Sequence, residues 1–250
     1  MQRILVAVAL GSWIVTPAHA DAAEWKGEGS FTAGLNTGNT DTSDLGIGLK
    51  LGRKSQLWRH QGELLADYGT KNGSQTKNRI FVSGQSDRIV NEDLFAFGRV
   101  SHEEDEFSGF NSRSFVGAGL GWQAMDSEVV KWSLEGGPGL RVDRVKARTV
   151  TLEEGGTYVV PANTKDPVAV SAASRLFYQI NEQVSTGNET SVIYAAASTQ
   201  ISNKATLTAG LMKGLSARLS FEVRHDTHPQ KGFETTDTAT RMSLVYAFGD

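Results

Sequence analysis

Several stretches of this sequence place chemically capable side chains close together. Ser101 and His102 are adjacent, Glu104 lies two residues on, and Ser112 and Ser114 follow. A serine nucleophile needs a base to take its proton and gains from a third group that orients that base. In a strand, Ser101 and His102 face opposite ways, whereas His102 and Glu104 share a face. His102 could then meet Ser112 or Ser114 only across a pair of strands. With 5 histidines and many serines in the chain, chance accounts for such a grouping, so no catalytic residues are expected and the chain is not read as an enzyme. His225-Asp226-Thr227-His228 has the look of metal-ligand spacing, but strand alternation would send His225 and Asp226 to opposite faces. Glu103-Glu104-Asp105-Glu106 offers oxygen ligands for calcium or magnesium, including ions that bridge lipopolysaccharide, but a solvated charged loop on the extracellular side accounts for it better. Gly117-Ala118-Gly119-Leu120-Gly121 fails as a dinucleotide fingerprint, because no helix follows and the third spacing is wrong. Small residues there would let strands bend or side chains pack. Neither a metal nor a cofactor is expected.

The composition agrees with this thin chemistry. The 250 residues contain no cysteine, which removes disulfides, thiol nucleophiles, Cys-ligated zinc and iron–sulfur clusters. A formal net charge of −3 gives no bulk attraction to nucleic acid. The first twenty residues are not fold. Arg3, an apolar run from Ile4 to Val15, Pro17 and then Ala18-His19-Ala20 make a secretory signal peptide over residues 1–20. Residues 21–250 remain as the folded domain.

The dominant pattern in that domain has a period of two. Leu215, Ala217, Leu219, Phe221 and Val223 alternate with Ser216, Arg218, Ser220, Glu222 and Arg224. Such alternation makes a strand whose two faces meet different surroundings. The pattern recurs and predicts twelve strands, at about 25–36, 43–53, 57–69, 77–88, 94–104, 112–124, 130–144, 167–179, 184–195, 199–211, 215–226 and 237–248. Globular strands usually have about 5–6 residues, whereas a tilted strand crossing a bilayer needs ~9–11. Connections alternate in length. Those at 53–56, 89–93, 125–129, 180–183 and 212–214 are short; those at 37–42, 70–76, 105–111, 145–166 and 227–236 are longer, with 196–198 the exception. Short turns at one end and long loops at the other are the habit of outer-membrane barrels. The fold class is therefore all-β, an antiparallel transmembrane β-barrel of twelve strands, with both termini on the periplasmic side. Thr149–Leu152 and Thr157–Val160 read as a projecting hairpin; if they spanned instead, the count would be fourteen.

The two faces follow from cost. Arg59, Glu63, Arg113, Glu135, Arg141, Arg175, Arg218, Glu222, Arg224 and Arg241 share the polar phase. An arginine on the lipid side costs about 2–4 kcal/mol at mid-depth, so these residues are assigned to the lumen. Arg99 is assigned there too, with Phe95 and Phe97 as packing near a barrel end. Trp25, Trp58, Trp122, Trp132, Tyr178, Tyr246 and Phe248 gather at periplasmic strand ends as a membrane-interface girdle, and Tyr68 and Tyr194 suit the opposite one. The strand at 184–195 fits least well, because Thr186, Asn188 and Thr190 would face lipid.

Trp25-Lys26-Gly27-Glu28-Gly29-Ser30 with Thr37-Gly38-Asn39-Thr40-Asp41-Thr42 resembles the start of the salt-induced outer-membrane protein family, a bacterial group carrying a domain of unknown function. His102-Glu103-Glu104-Asp105-Glu106-Phe107, Gly117 to Trp122, Leu134-Glu135-Gly136-Gly137-Pro138-Gly139 and Phe221 to Asp226 through Phe248 are similar as well. The resemblance covers essentially the whole mature chain. It implies a barrel in the outer membrane and no settled activity; the family name hints at a response to salt or osmotic conditions. One departure is that Phe248 is followed by Gly249 and Asp250, where outer-membrane strands commonly end in an aromatic.

The sequence thus predicts a structural barrel or a narrow, charged passage for small ions or solutes. Its expected partners are outer-membrane lipid, lipopolysaccharide and the barrel-insertion machinery. Two alternatives remain open: a lipid-active outer-membrane hydrolase, and a soluble periplasmic barrel binding a hydrophobic ligand, which would show the same alternation turned inside out. Oligomeric state stays open.

Overall fold

The computed structural model describes residues 23–36, 42–145, 147–152, 156–165, 167–230 and 233–249. The expected signal peptide lies outside them. Every regular element among the described residues is a strand: β1 (Glu24–Asn36), β2 (Thr42–Lys54), β3 (Trp58–Lys71), β4 (Ser74–Ile89), β5 (Leu94–Asp105), β6 (Phe110–Asp126), β7 (Val130–Val145), β8 (Arg148–Leu152), β9 (Gly156–Val160), β10 (Asn163–Lys165), β11 (Val168–Gln179), β12 (Val184–Ala195), β13 (Ser198–Met212), β14 (Leu215–Asp226) and β15 (Thr236–Gly249).

Twelve of these close into an antiparallel barrel. Each pairs with its sequence neighbour from β1 to β7, β7 then pairs with β11, and the meander continues to β15. Closure comes from β1 against β15, with Phe31 opposite Leu244 and Gly27 opposite Phe248. A closed ring leaves no unpaired edge, which a spanning sheet requires because lipid cannot satisfy backbone groups. The twelve expected spans all appear. β8 and β9 form a separate hairpin and β10 extends the sheet beside the top of β7, so the long connection projects and the count stays at twelve.

Alternation sets what each face carries. Leu45, Ile47, Leu49, Leu64, Val82, Val100, Val116, Leu219, Phe221 and Leu244 point outward and are exposed. The inward face holds the charged set together with Phe95, Phe97 and Phe115, each at most 5% exposed. Arg59 lies over the Phe95 ring at 4.9 Å and Arg99 over Phe97 at 5.6 Å, so the aromatics floor a charged interior. The glycines of β6 make room for them. A side chain at Gly121 would stand 2.1 Å from the Phe95 ring, and one at Gly117 would stand 2.7 Å from the Phe115 ring. Gly117 and Gly121 thus clear space for packed rings, whereas Gly119 admits the Gly136 backbone of β7.

Two expectations need correction. The connection at 70–76 is not a long loop. Strands β3 and β4 continue past the expected ends and meet in a two-residue turn, Asn72-Gly73, with φ of 50° and 77°. Two positive φ values define the tight turn whose twist matches a hairpin, and Asn-Gly is its preferred pair. The acidic run is not a solvated loop either. Glu103, Glu104 and Asp105 belong to β5, and alternation sends Glu103 inward and Glu104 outward.

Candidate functional site: a lumen crossed by charge

Strand register explains how residues distant in sequence meet inside the barrel. Residues directly opposite in an antiparallel pair point to the same face. Arg175 faces Glu189, Glu189 faces Lys204, and Lys204 faces Glu222 across three successive pairings. All ten charged residues assigned to the lumen from the sequence lie on this inward face. They sort into three levels.

Toward the end of the barrel where β1 begins and β15 ends, Glu135 is the hub. Its side chain is 2% exposed and accepts two hydrogen bonds from Arg175, at 2.7 and 3.0 Å. It also pairs with Arg99 and accepts from Gln85 at 2.9 Å. Arg59 pairs with the fully buried Asp87 at 2.7 Å, and Gln85 donates to the same carboxylate. An isolated buried carboxylate would cost many kcal/mol, and the donors around Asp87 and Glu135 offset that cost.

At mid-height, Lys50 lies 3.5 Å from Glu63 and 3.9 Å from Glu189. Strands β2 and β12 are five positions apart by the shorter way round the ring, so this contact crosses the bore. Arg218 holds Glu28 with two bonds of 3.0 and 3.3 Å and donates to Thr208. Glu189 remains 53% exposed and Lys50 39% exposed, so water reaches this level.

Above it, six side chains close a ring of alternating charge. Asp67 pairs with Arg79 at 3.3 Å, Arg79 with Glu103 at 2.8 Å, and Glu103 with Arg224 at 3.3 Å. Arg224 pairs with Glu222 at 2.6 Å, Glu222 with Arg241 at 2.8 Å, and Arg241 returns to Asp67 at 3.9 Å. Strands β5 and β14 stand six positions apart either way round, so the Glu103 to Arg224 link spans the full diameter. Arg113 bridges Asp143 at 3.1 Å and reaches Asp226 at 3.5 Å, again across the bore. Arg141 is 2% exposed, pairs with Asp143 and donates to the Ser198 carbonyl.

The same alternation in the sequence places Lys50, Asp67, Arg79, Asp143, Glu189 and Asp226 on the inward face as well. The inward roles of Asp87, Glu103 and Gln85 went unread. Glu103 was hidden in the acidic run. Asp87 was in phase throughout, and the phase rule alone would have found it.

The seven aromatics expected at an interface point outward near the end where β1 begins and β15 ends: Trp25, Trp58, Trp122, Tyr178, Tyr246 and Phe248 are exposed, and the half-buried Trp132 donates to Ser174 at 3.0 Å. Tyr68 and Tyr194 are exposed at the opposite ends. Thr186, Asn188 and Thr190 do face outward, and they solve their own solvation problem. The Asn203 amide donates to Asn188 at 3.1 Å and to Thr190 at 2.7 Å, while Asn188 donates back to Asn203 at 3.3 Å. The histidine spacing at 225–228 does not converge. His225 contacts Thr236, Asp226 turns inward to Ser198 and Arg113, and no group among the described residues could hold a metal.

A sequence profile described as "Protein of unknown function, DUF481" matches residues 29–248. The chain belongs to that family. A relative described as "Uncharacterized protein YdiY", from Escherichia coli (strain K12), is 23% identical over 225 residues, covering 88% of this chain and 82% of the relative. Among solved structures, the NanC porin aligns with a TM-score of 0.49 at 12% identity, over 89% of this chain and 98% of its own. An outer membrane channel from Pseudomonas putida F1 aligns with a TM-score of 0.49 at 9% identity, over 96% and 98%.

Proposed function

We propose that this DUF481 barrel resides in the outer membrane and is a narrow passage for small ions or solutes, closed at rest by charges paired across its bore. The observation that carries this reading is the Glu103 to Arg224 contact at 3.3 Å between diametrically opposite strands. A charged, partly wet interior inside an apolar exterior suits a spanning barrel, where arginines on the outer face would be costly. A twelve-stranded bore is intermediate between small filled barrels and open porins, so long side chains suffice to cross it. Residues 1–20 would deliver the chain for export. Its partners in that setting are membrane lipid, lipopolysaccharide and the insertion machinery, which would read the Met242, Leu244, Tyr246, Phe248 alternation.

A charge-paired gate also gives the salt connection a physical form. The Debye length falls from ~8 Å at physiological ionic strength to ~3 Å at 1 M, which weakens exposed cross-bore pairs such as Lys50 with Glu189. Recording in planar bilayers over a range of salt tests the reading. The expected result is small steps whose open probability rises with salt. Silence at every salt concentration, with folding verified by heat-shifted mobility, would leave a purely structural barrel. Release from cells without detergent would overturn the membrane assignment itself.

A further inference from the structure

We propose that Ser114, His102 and Glu104 form an acyl-ester hydrolase site on the outer wall of the barrel, acting on an ester-linked acyl chain of an amphiphile in the outer leaflet. The pairing of β5 with β6 sets His102 directly opposite Ser114 on the outward face. The Ser114 Oγ lies 2.7 Å from His102 Nδ1, and His102 Nε2 lies 3.4 Å from Glu104 Oε1. With Nε2–H donated to Glu104, the Nδ1 lone pair faces the serine hydroxyl. That is a nucleophile, a base and an orienting carboxylate in sequence.

The surroundings select the substrate class. The exposed Val82 stands directly opposite His102 on β4, and one register step toward the membrane centre lie the exposed Val100 and Val116. One register step toward the cell exterior stand Ser112 and the exposed Arg144, directly opposite each other on β6 and β7. The trio therefore sits where the apolar wall gives way to polar rim, the depth at which ester linkages join acyl chains to headgroups. Arg144 also lines an open cleft of about 520 Å³ with Asn111, Asn163 and Thr164, and its guanidinium suits a headgroup phosphate. A second outward pair serves as contrast. Ser86 Oγ is 3.0 Å from His60 Nδ1, but that ring stacks on Trp58 and no carboxylate partner meets it among the described residues.

The reaction balances as a hydrolysis. Ser114 Oγ attacks the ester carbonyl carbon and its proton passes to His102 Nδ1. The tetrahedral intermediate collapses, the ester C–O bond breaks, and the leaving alkoxide takes the proton from His102. Water, deprotonated by His102, then attacks the acyl-serine, releasing a fatty acid and restoring the serine hydroxyl. This wall is separate from the bore, so its chemistry and conductance can succeed or fail independently.

The test uses the purified full chain in two kinds of vesicle, one of phosphatidylethanolamine and one containing lipopolysaccharide. A fluorophosphonate probe should give an adduct located by mass spectrometry on Ser114 and not on Ser86. Fatty acid should appear in one vesicle type, which identifies the lipid. Ser114→Ala should abolish both signals, and His102→Ala should slow release by about 10²- to 10⁴-fold. Glu104→Gln should lower the rate and alter its pH profile while Ser114 stays in place. All three positions face outward, so heat-shifted mobility should be unchanged. No adduct at Ser114, equal labelling of Ser86, no release from either vesicle, or release that survives Ser114→Ala would each overturn the proposal.

Discussion

Replacing both Arg218 and Arg224 with alanine should open the bore and turn it toward cations. Among the described residues Arg224 alone links β14 to Glu103 on β5, so truncating it removes the diametric bridge. Neither carboxylate is orphaned: Glu103 keeps Arg79 at 2.8 Å, and Glu222 keeps Arg241 at 2.8 Å. Glu28, which loses Arg218, is 38% exposed and can be hydrated. The double variant should therefore fold. The ring of Asp67, Glu103 and Glu222 against Arg79, Arg224 and Arg241 is neutral; without Arg224 it carries one net negative charge. At about 6 Å with water-like screening, one charge changes a passing cation's energy by ~0.7 kcal/mol, roughly threefold in occupancy. Less screening would enlarge that. Single-channel recording should show larger steps than the parent and a reversal potential displaced toward the cation limit. Arg88→Ala, on the outer wall over Trp58, should leave both unchanged. Equal conductance and equal selectivity in folded parent and double variant would refute the gating argument.

Three further outcomes follow from the same geometry. Leu219→Arg and Phe221→Arg should each lower insertion yield in bilayers more than Ser220→Arg, by about 2–4 kcal/mol, because the first two point outward and Ser220 points inward opposite Arg241; equal yields would contradict the assignment of faces. Glu135→Ala should destabilise the barrel by ~3–5 kcal/mol in urea unfolding, since it strands Arg99 and Arg175 together, whereas Glu24→Ala, in a well-exposed pair with Lys26, should leave the midpoint unmoved. Asn203→Ala should cost about 1–3 kcal/mol in the same assay by leaving Asn188 and Thr190 without their outward-facing donor, and the double change to leucine at 188 and 203 should restore stability; an additive loss would refute the mutual-satisfaction account.

How much of this was legible beforehand depends on the range of the physics involved. Strand position, facing and count follow from local alternation, because a side chain's face is set by its own parity and the cost of charge in lipid decides which face is which. Thus Arg218, Leu219 and Trp25 could be placed from sequence. The turn at Asn72-Gly73 was equally local, and its dipeptide signal was there to be read. Partnership is different. Which arginine meets which carboxylate depends on register accumulated over several strands and on closure of the ring. No local pattern joins Glu103 to Arg224, 121 residues away, or Lys50 to Glu189. The same holds on the outer wall. Sequence put His102 and Glu104 on one face and offered Ser112 and Ser114 as candidates; only the β5 to β6 register selected Ser114. Parity is a property of the chain, whereas register and closure belong to the assembled sheet, and the contacts across the bore exist only once the ring has closed.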